Sequence, residues 1–289
     1  MSYKNIAVFG KYQDDSITPH VTDLVNFLLK QKINVYLGDT TAKSKILDNL
    51  PVGRITDEEL KDHVELGIVL GGDGTLLNVA RKLAPLGIPI IGVNLGRLGF
   101  LTDVPLASMN KDILEILQGT HTEEQRMMLL LEVIRDGKLI ASGHALNDIV
   151  ISRHNADRLI AWRAKVNGKL ITSARSDGVI VSTPTGSTAY ALSAGGPILD
   201  PELDAVALVP ICPHTLSNRP IALRANSVIE FSVTDTEQAD AHVSADGQRI
   251  CDLRGNEIIR VSRSPHSLKL IKMTESDHYG TLREKLGWG

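Results

Sequence analysis

With 289 residues, a formal net charge of −3 and 43% hydrophobic side chains, the chain has apolar material for two domains, and it has no long run of Lys or Arg to suit nucleic acid or an acidic membrane surface. Cys212 and Cys251 are the only cysteines, too few for a disulfide framework or a thiolate metal site. The opening Met-Ser-Tyr-Lys-Asn lacks a signal-peptide apolar region and no apolar stretch reaches the ~18 residues of a membrane span. The expectation is therefore a cytoplasmic protein with a small-molecule partner, and with neither nucleic acid nor membrane.

The first third of the chain alternates strand and helix patterns. Asn5 to Phe9 reads as a strand closed by Gly10, and Thr18-Pro19 as the start of a helix to about Lys30 with Val21, Leu24, Val25 and Leu28 on one face. Ile33 to Leu37 is the next strand, a helical segment covers about Asp57 to Val64, and Gly67 to Leu70 is a short buried strand. Leu76 to Leu83 then reads as a helix, Ile88 to Val93 as a strand, and Asn110 to Gln118 as a helix. This alternation implies a Rossmann-like α/β domain with a mainly parallel sheet, over residues 1–120. After about residue 125 the pattern changes. Leu129–Ile134 and Lys138–Ala145 flank Asp136-Gly137, and Leu159–Val166 and Lys169–Ser173 flank Asn167-Gly168, so both read as hairpins with type I′ turns. Gly178–Ser182, Ala205–Leu208, Ser227–Val233, His242–Ser244 and Ile258–Val261 add strands. Residues 121–267 are expected to be a mostly-β domain, a sandwich of sheets, with the 268–289 tail free to rejoin the first domain.

The stretch that carries chemistry is Gly71-Gly72-Asp73-Gly74-Thr75, at the end of the Gly67–Leu70 strand. In a parallel sheet, ligands bind beyond such carboxyl ends. Gly71, Gly72 and Gly74 lack Cβ, so they can adopt positive φ and let an anion approach their bare amides, at a helix start that adds partial positive charge. A carboxylate among phosphate-binding amides repels the ligand unless Asp73 takes a proton from an attacking hydroxyl or helps to hold a metal on the phosphates. The glycines alone equally fit a plain strand-to-helix turn whose Asp caps the helix. Asn94-Leu95-Gly96-Arg97-Leu98-Gly99-Phe100 is a second glycine-rich loop at a strand end.

Three polar stretches mark the β domain: Asn147-Asp148, Arg175-Ser176-Asp177-Gly178, and the nine residues Ser182 to Tyr190. The first two also fit ordinary turns. The third, with five Ser or Thr hydroxyls, offers donors and acceptors suited to ribose, phosphate and a purine edge. His144, His214 and His242 lack zinc-site spacing and read as structural or surface groups.

Taken together and in this order, Gly71 to Thr75, Asn94 to Leu101, Asn147-Asp148, Arg175 to Gly178 and Thr183 to Tyr190, followed by Ser193-Ala194-Gly195-Gly196-Pro197, resemble the bacterial NAD kinases of the ATP-NAD kinase family. Gly-Gly-Asp-Gly alone is shared with diacylglycerol kinases, sphingosine kinases and phosphofructokinases, whereas the Thr-Pro-Thr-Gly-Ser-Thr-Ala-Tyr stretch is far more specific. The resemblance implies phosphorylation of the 2′-hydroxyl of the adenosine ribose of NAD by ATP to give NADP and ADP. It also implies a divalent metal, Mg²⁺, arriving with the nucleotide, and a homodimer or homotetramer. It places Asp73 as general base, with Gly72, Gly74 and Thr75 near the phosphates. Asn147, Asp148, Arg158, Asp177, the run Thr188-Ala189-Tyr190-Ala191-Leu192-Ser193 and Gln248 fall at dinucleotide contacts, and Arg175 falls near the phosphates. The family often has Glu where this chain has Asp148. Two alternatives differ in class: a lipid kinase of the diacylglycerol type, which needs an apolar acceptor channel or a membrane-docking face, and a dinucleotide sensor, which has no use for Asp73 as a base.

Overall fold

The computed structural model describes residues 3–11, 15–38, 49–96, 98–154, 159–215, 217–233, 241–274 and 276–288. Contacts divide the chain into two units, Met1–Gln125 with Leu268–Gly289, and Arg126–Ser267. In the first unit β1 (Asn5–Gly10), β2 (Asn34–Gly38), β3 (Gly53–Ile55), β4 (Leu66–Leu70), β5 (Ile90–Asn94) and β6 (Val104–Pro105) accompany α1 (Thr18–Lys30), α2 (Leu60–His63), α3 (Asp73–Leu83) and α4 (Met109–Leu117). The strands lie in the order β3-β2-β1-β4-β5, all parallel. Every residue of β4 is buried, which is why Leu66 to Leu70 is a continuous apolar run without alternation. Helices α1 and α3 bury Val21, Leu24, Val25 and Leu28, and Leu76, Val79, Ala80 and Leu83, at helical spacing.

The strand order runs outward from β1 through β2 and β3 and then reverses to β4. Open α/β sheets bind ligands at such a reversal, outside the strand ends. Gly10 and Leu70, the last residues of β1 and β4, are register partners there, and the Gly71-Gly72 turn follows directly.

Two helices differ from expectation. Helix α3 starts at Asp73, three residues early, because the amides of Thr75 and Leu76 both donate to the Gly72 carbonyl and close the first turn. The expected helix at 57–64 shrinks to α2, since Val64 is already extended for the run into β4.

The second unit contains β7 (Thr122–Arg135, from Arg126 onward), β8 (Lys138–Ala145), β9 (Asp148–Arg153), β10 (Ile160–Val166), β11 (Lys169–Ser176) and β12 (Gly178–Ser182). The short helix α5 (Tyr190–Ser193) precedes β13 (Ala205–Ile211), β14 (Ile221–Arg224), β15 (Ile229–Val233), β16 (Ala241–Ala245), β17 (Gln248–Leu253) and β18 (Glu257–Lys272). One antiparallel sheet runs β11-β10-β15-β18, with the β7–β8 hairpin joined to β18; the other runs β14-β13-β12-β9-β16-β17. Leu131, Trp162, Phe231 and Ile259 from the first meet Ile151, Val181, Leu208 and Val243 from the second in one apolar cluster, so the sandwich expected from the alternating patterns is present. The outer face of the second sheet, through Val150, Ile180, Ala207 and Val209, packs on Ala191 and Leu199.

Both expected hairpin turns have the left-handed backbone of a type I′ turn, with φ of 50° and 73° at Asp136-Gly137 and 50° and 78° at Asn167-Gly168. A third, unforeseen, lies at Asp246-Gly247, with φ of 47° and 75°, between β16 and β17. The strand expected at 258–261 is the start of the 16-residue β18. Its last residues lie in the first unit, where Leu270 and Ile271 pair in parallel with Ile90 and Ile91 of β5 ahead of α6 (His278–Leu286).

Candidate active site and its two clusters of residues

In the first unit the site is built at the ends of β4 and β5. Asp73 opens α3 but does not cap it; instead its carboxylate reaches the loop after β5. Oδ2 accepts the Phe100 amide at 2.9 Å, and Oδ1 accepts the Leu101 amide at 3.0 Å and the Thr102 hydroxyl at 3.4 Å. A Cβ on Gly99 would collide with both the Asp73 carboxylate and the Thr102 hydroxyl, so glycine at 99 is what lets loop and carboxylate meet. The loop is itself braced: Asn94 Oδ1 accepts the Gly96 amide at 2.8 Å, and the buried Lys272 donates to the Phe100 carbonyl at 3.3 Å. Lys272 also lies 3.9 Å from Asp103, whose carboxyl is pushed up by burial against the pull of Lys272. Sequence reading missed Lys272, which sits in an unremarkable apolar strand.

Gly71, Gly72 and Gly74 do not use the positive φ open to them: the left-handed glycines among the described residues do not include them, and Gly72 is extended. Their lack of side chain matters for space instead. A Cβ on Gly71 would press on the Thr75 side chain, whereas Gly72 and Gly74 face open space and are exposed, so their backbone is accessible to a ligand at the head of α3. Thr75 is half-buried, its amide bonded to Gly72.

In the second unit the Asn147-Asp148 segment is locked by backbone on two sides. The Thr183 amide and the Ser182 hydroxyl donate to the Asn147 carbonyl at 2.9 and 3.4 Å, and the Thr183 hydroxyl donates to the Leu146 carbonyl at 2.6 Å. Gly186 lies so close that a Cβ there would stand 2.6 Å from the Asn147 Cα. From the other side the Asp246 carboxylate accepts the amides of Leu146, Asn147 and Asp148 at 2.9, 2.7 and 3.2 Å. Two side chains are left to address a ligand. Asn147 Oδ1 is buried with no hydrogen-bond partner, an acceptor that a ligand donor would satisfy. Asp148 is buried, and its carboxyl is pushed up to about 7 by burial and by the nearby Asp246.

Most of the hydroxyls of Ser182 to Thr188, read from the sequence as donors and acceptors for a ligand, are spent within the chain. Ser182, Thr183, Thr185 and Ser187 are buried, and their bonds run inward: Thr183 Oγ1 accepts the Gly186 amide, Ser187 donates to Pro184 O at 2.6 Å, and Ser187 Oγ accepts the Leu199 amide at 2.9 Å. Thr188 donates to Thr185 O at 3.4 Å. The segment needs them because it is a 3-10 turn whose polar backbone is buried against the sheet. Ala189 is half-buried and Ala191 fully buried, Leu192 is half-buried, and Tyr190 and Ser193 are exposed on α5. The Tyr190 phenol is pushed up by burial first, then by Cys212, Asp177 and Asp148. Asp177 is held by Arg153 at 3.0 Å. Arg175 is exposed on β11 and Gln248 is exposed at the start of β17. Arg158 lies outside the described residues.

The residues of both clusters can now be set beside known proteins. The family models for the ATP-NAD kinase N-terminal and C-terminal domains match residues 6–121 and 146–273. The curated NAD kinase of Nitrosospira multiformis is 44% identical over 99% of this chain and 96% of its own length, and that of Nitrosomonas europaea is 42% identical over 99% and 95%. Among solved structures, yeast NADH kinase complexed with NADH matches with a TM-score of 0.91 at 26% identity, covering 100% of this chain and 88% of that one. An NAD kinase from Archaeoglobus fulgidus in complex with ATP matches with a TM-score of 0.74 at 26% identity, covering 98% and 99%.

Proposed function

The chain belongs to the ATP-NAD kinase family, and from that premise we propose which of its residues do what in making NADP. The reaction moves the terminal phosphoryl group of ATP to the 2′-hydroxyl of the adenosine ribose of NAD, leaving ADP. A ribose hydroxyl is a weak nucleophile at neutral pH, so Asp73 takes its proton as the new O–P bond forms, a contribution of roughly 10²- to 10⁴-fold. The observation that carries this role is the seating of Asp73: amides of Phe100 and Leu101 fix both oxygens beside the bare backbone of Gly72 and Gly74. A group held this way loses no time to rotation, and positioning supplies much of the remaining acceleration.

The dinucleotide is bound by Asn147 and Asp148, with Asp177 and the run Thr188 to Ser193 lining the adenosine half. Asn147 Oδ1 takes a donor from the ligand, and Asp148, carrying a proton near neutrality, gives one. Arg158, Arg175 and Gln248 complete the contacts, Arg175 with the phosphates.

The divalent cation is assigned as Mg²⁺. Among the described residues no three His, Cys, Asp or Glu side chains are placed to hold a metal between them. A Mg²⁺ ion that keeps its waters and the phosphate oxygens asks for few protein ligands, which suits an ion that arrives with the nucleotide. When bound, the ion neutralises charge on the transferring phosphoryl group. Among the described residues no helix is long and apolar enough to cross a membrane, and a cytoplasmic homodimer or homotetramer is the assembly proposed, to be read by sedimentation.

The test of the reaction is a coupled assay for NADP with purified protein, ATP, Mg²⁺ and NAD. NADP formed by the native chain and nearly lost in Asp73→Asn, with NAD affinity kept, is the expected result. Tight NAD binding without NADP would mean a sensor.

A further inference from the structure

The Asp246-Gly247 turn joins β16 to β17, where a hairpin asks only for residues that tolerate the left-handed backbone. Asn, Asp and Gly all serve. Asp246 does more than turn the chain. Its carboxylate fills the concavity made by three successive amides, Leu146, Asn147 and Asp148, and its own amide donates back to the Asp148 carbonyl at 2.9 Å. Successive amides of this kind form an anion seat, and here the anion is a side chain some 100 residues away in sequence. Only an acceptor-only group satisfies all three donors; an amide side chain would turn N–H against N–H.

The same carboxylate sits beside Asp148, which is buried and to whose carboxyl no backbone amide among the described residues donates. Burial and the neighbouring Asp246 push the Asp148 carboxyl up, so it keeps its proton to higher pH than an exposed aspartate does. Among the described residues, the groups that act on Asp148 or on which it acts are Asp246 from the β16–β17 turn and Tyr190 from α5, with Asp177 and Cys212 also acting on the Tyr190 phenol, and no cation is among them.

We propose that Asp246 is a positioning residue for the dinucleotide: it seats the Asn147-Asp148 segment through three amides and keeps the Asp148 carboxyl a hydrogen-bond donor toward the ligand. The proposal rests on the reading of Asn147 and Asp148 as dinucleotide contacts. It predicts that the native KM for NAD rises as Asp148 loses its proton near pH 7, by up to roughly tenfold per unit above the break. In Asp246→Asn the KM for NAD rises roughly tenfold, the KM for ATP holds, and the break moves to lower pH because the neighbouring charge is gone. Asp246→Glu keeps the charge but misplaces it by a methylene, so its KM rises and its break stays. Asp148→Asn has no break.

The measurement is KM for NAD and for ATP across about pH 6 to about pH 8 on the full-length variants, with Tm recorded for each. A folded Asp246→Asn with an unmoved break, or with an unchanged KM for NAD, overturns the proposal. So does failure of both Asp246 variants to fold, which makes the residue a structural one. If Asp148→Asn and Asn147→Ala leave the KM for NAD untouched, the underlying contact reading fails instead, whatever Asp246 does.

Discussion

Asp73→Asn separates the two demands placed on one carboxylate. The aspartate accepts from the Phe100 amide through one oxygen and from the Leu101 amide and the Thr102 hydroxyl through the other. Asparagine keeps one acceptor and turns an NH₂ group toward the second amide, so at least one N–H loses its partner. Leaving such a group unmatched costs about 1–3 kcal/mol, and because Asp73 is half-buried the loss belongs at the lower end. Losing a negative charge at the first residue of the 11-residue α3 adds about 0.3–1 kcal/mol. The expected fall in Tm is a few degrees, about 2–4 °C per kcal/mol for a chain of this size. Catalysis should lose far more, roughly 10²- to 10⁴-fold in kcat, with the KM for NAD changed little. The assay is steady-state NADP formation beside thermal unfolding of the same preparations. A variant that unfolds a few degrees early yet keeps kcat within about threefold would show that Asp73 only ties a loop to a helix, since a base removed cannot leave turnover intact.

Other perturbations test other parts. Gly99→Ala drives a methyl into the Asp73 carboxylate and the Thr102 hydroxyl, so kcat is expected to fall at least tenfold with a Tm loss of only a few degrees, measured in the same assays. Gly186→Ala meets the Asn147 backbone, which has no flexible end to yield; overpacking of about 1–3 kcal/mol and a raised KM for NAD are expected from calorimetry and kinetics together. Glu257 is buried, and although burial pushes its carboxyl up, Arg135 and the amides of Arg254 and Gly255 hold it below the usual range. Its stabilisation is present above the unfolded value of 4.5 and is lost as pH falls through the lower folded value. Glu257→Gln should therefore cost about 3 kcal/mol at neutral pH and flatten the acid limb of a Tm-against-pH curve.

The parallel unit was legible because β4 and the faces of α1 and α3 carry the periods that physics imposes on buried strands and amphipathic helices. The two hairpins were legible because Asp-Gly and Asn-Gly suit left-handed turns. The third went unseen although Asp246-Gly247 carries the same dipeptide signal, because the short, partly polar β17 gave no strand pattern after it. The site was legible only in part. The glycine turn pointed to Asp73, but nothing local to residue 73 names Phe100 and Leu101 as its partners, since those bonds span 27 and 28 residues. The Ser/Thr density of residues 182–188 suggested hydroxyls open to a ligand, and several of them are taken by the chain's own backbone. Hydroxyl groups announce hydrogen bonds without saying to whom, and here the buried turn takes them.

That inward use of hydroxyls explains how the second unit carries Asp148. A carboxyl pushed from 3.8 up to about 7 binds a proton in the folded chain that the unfolded chain has released between those values. The sign is that of a raised group: its neutral form costs nothing below the unfolded value, and stability is lost as pH rises through the folded one. The loss approaches about 4 kcal/mol above neutrality as an upper bound, since each unit corresponds to about 1.4 kcal/mol. Asp148→Asn removes the titration, so its Tm should exceed the native value at about pH 8 and converge with it near pH 4, while NAD binding at neutral pH changes through altered contacts. Equal Tm curves would mean that Asp148 is hydrated and no proton is held there. A rise in Tm at high pH alone would mean that the fold carries a destabilising acid, held in place by Thr183, Gly186 and Asp246 around it, at the position proposed to donate to the dinucleotide.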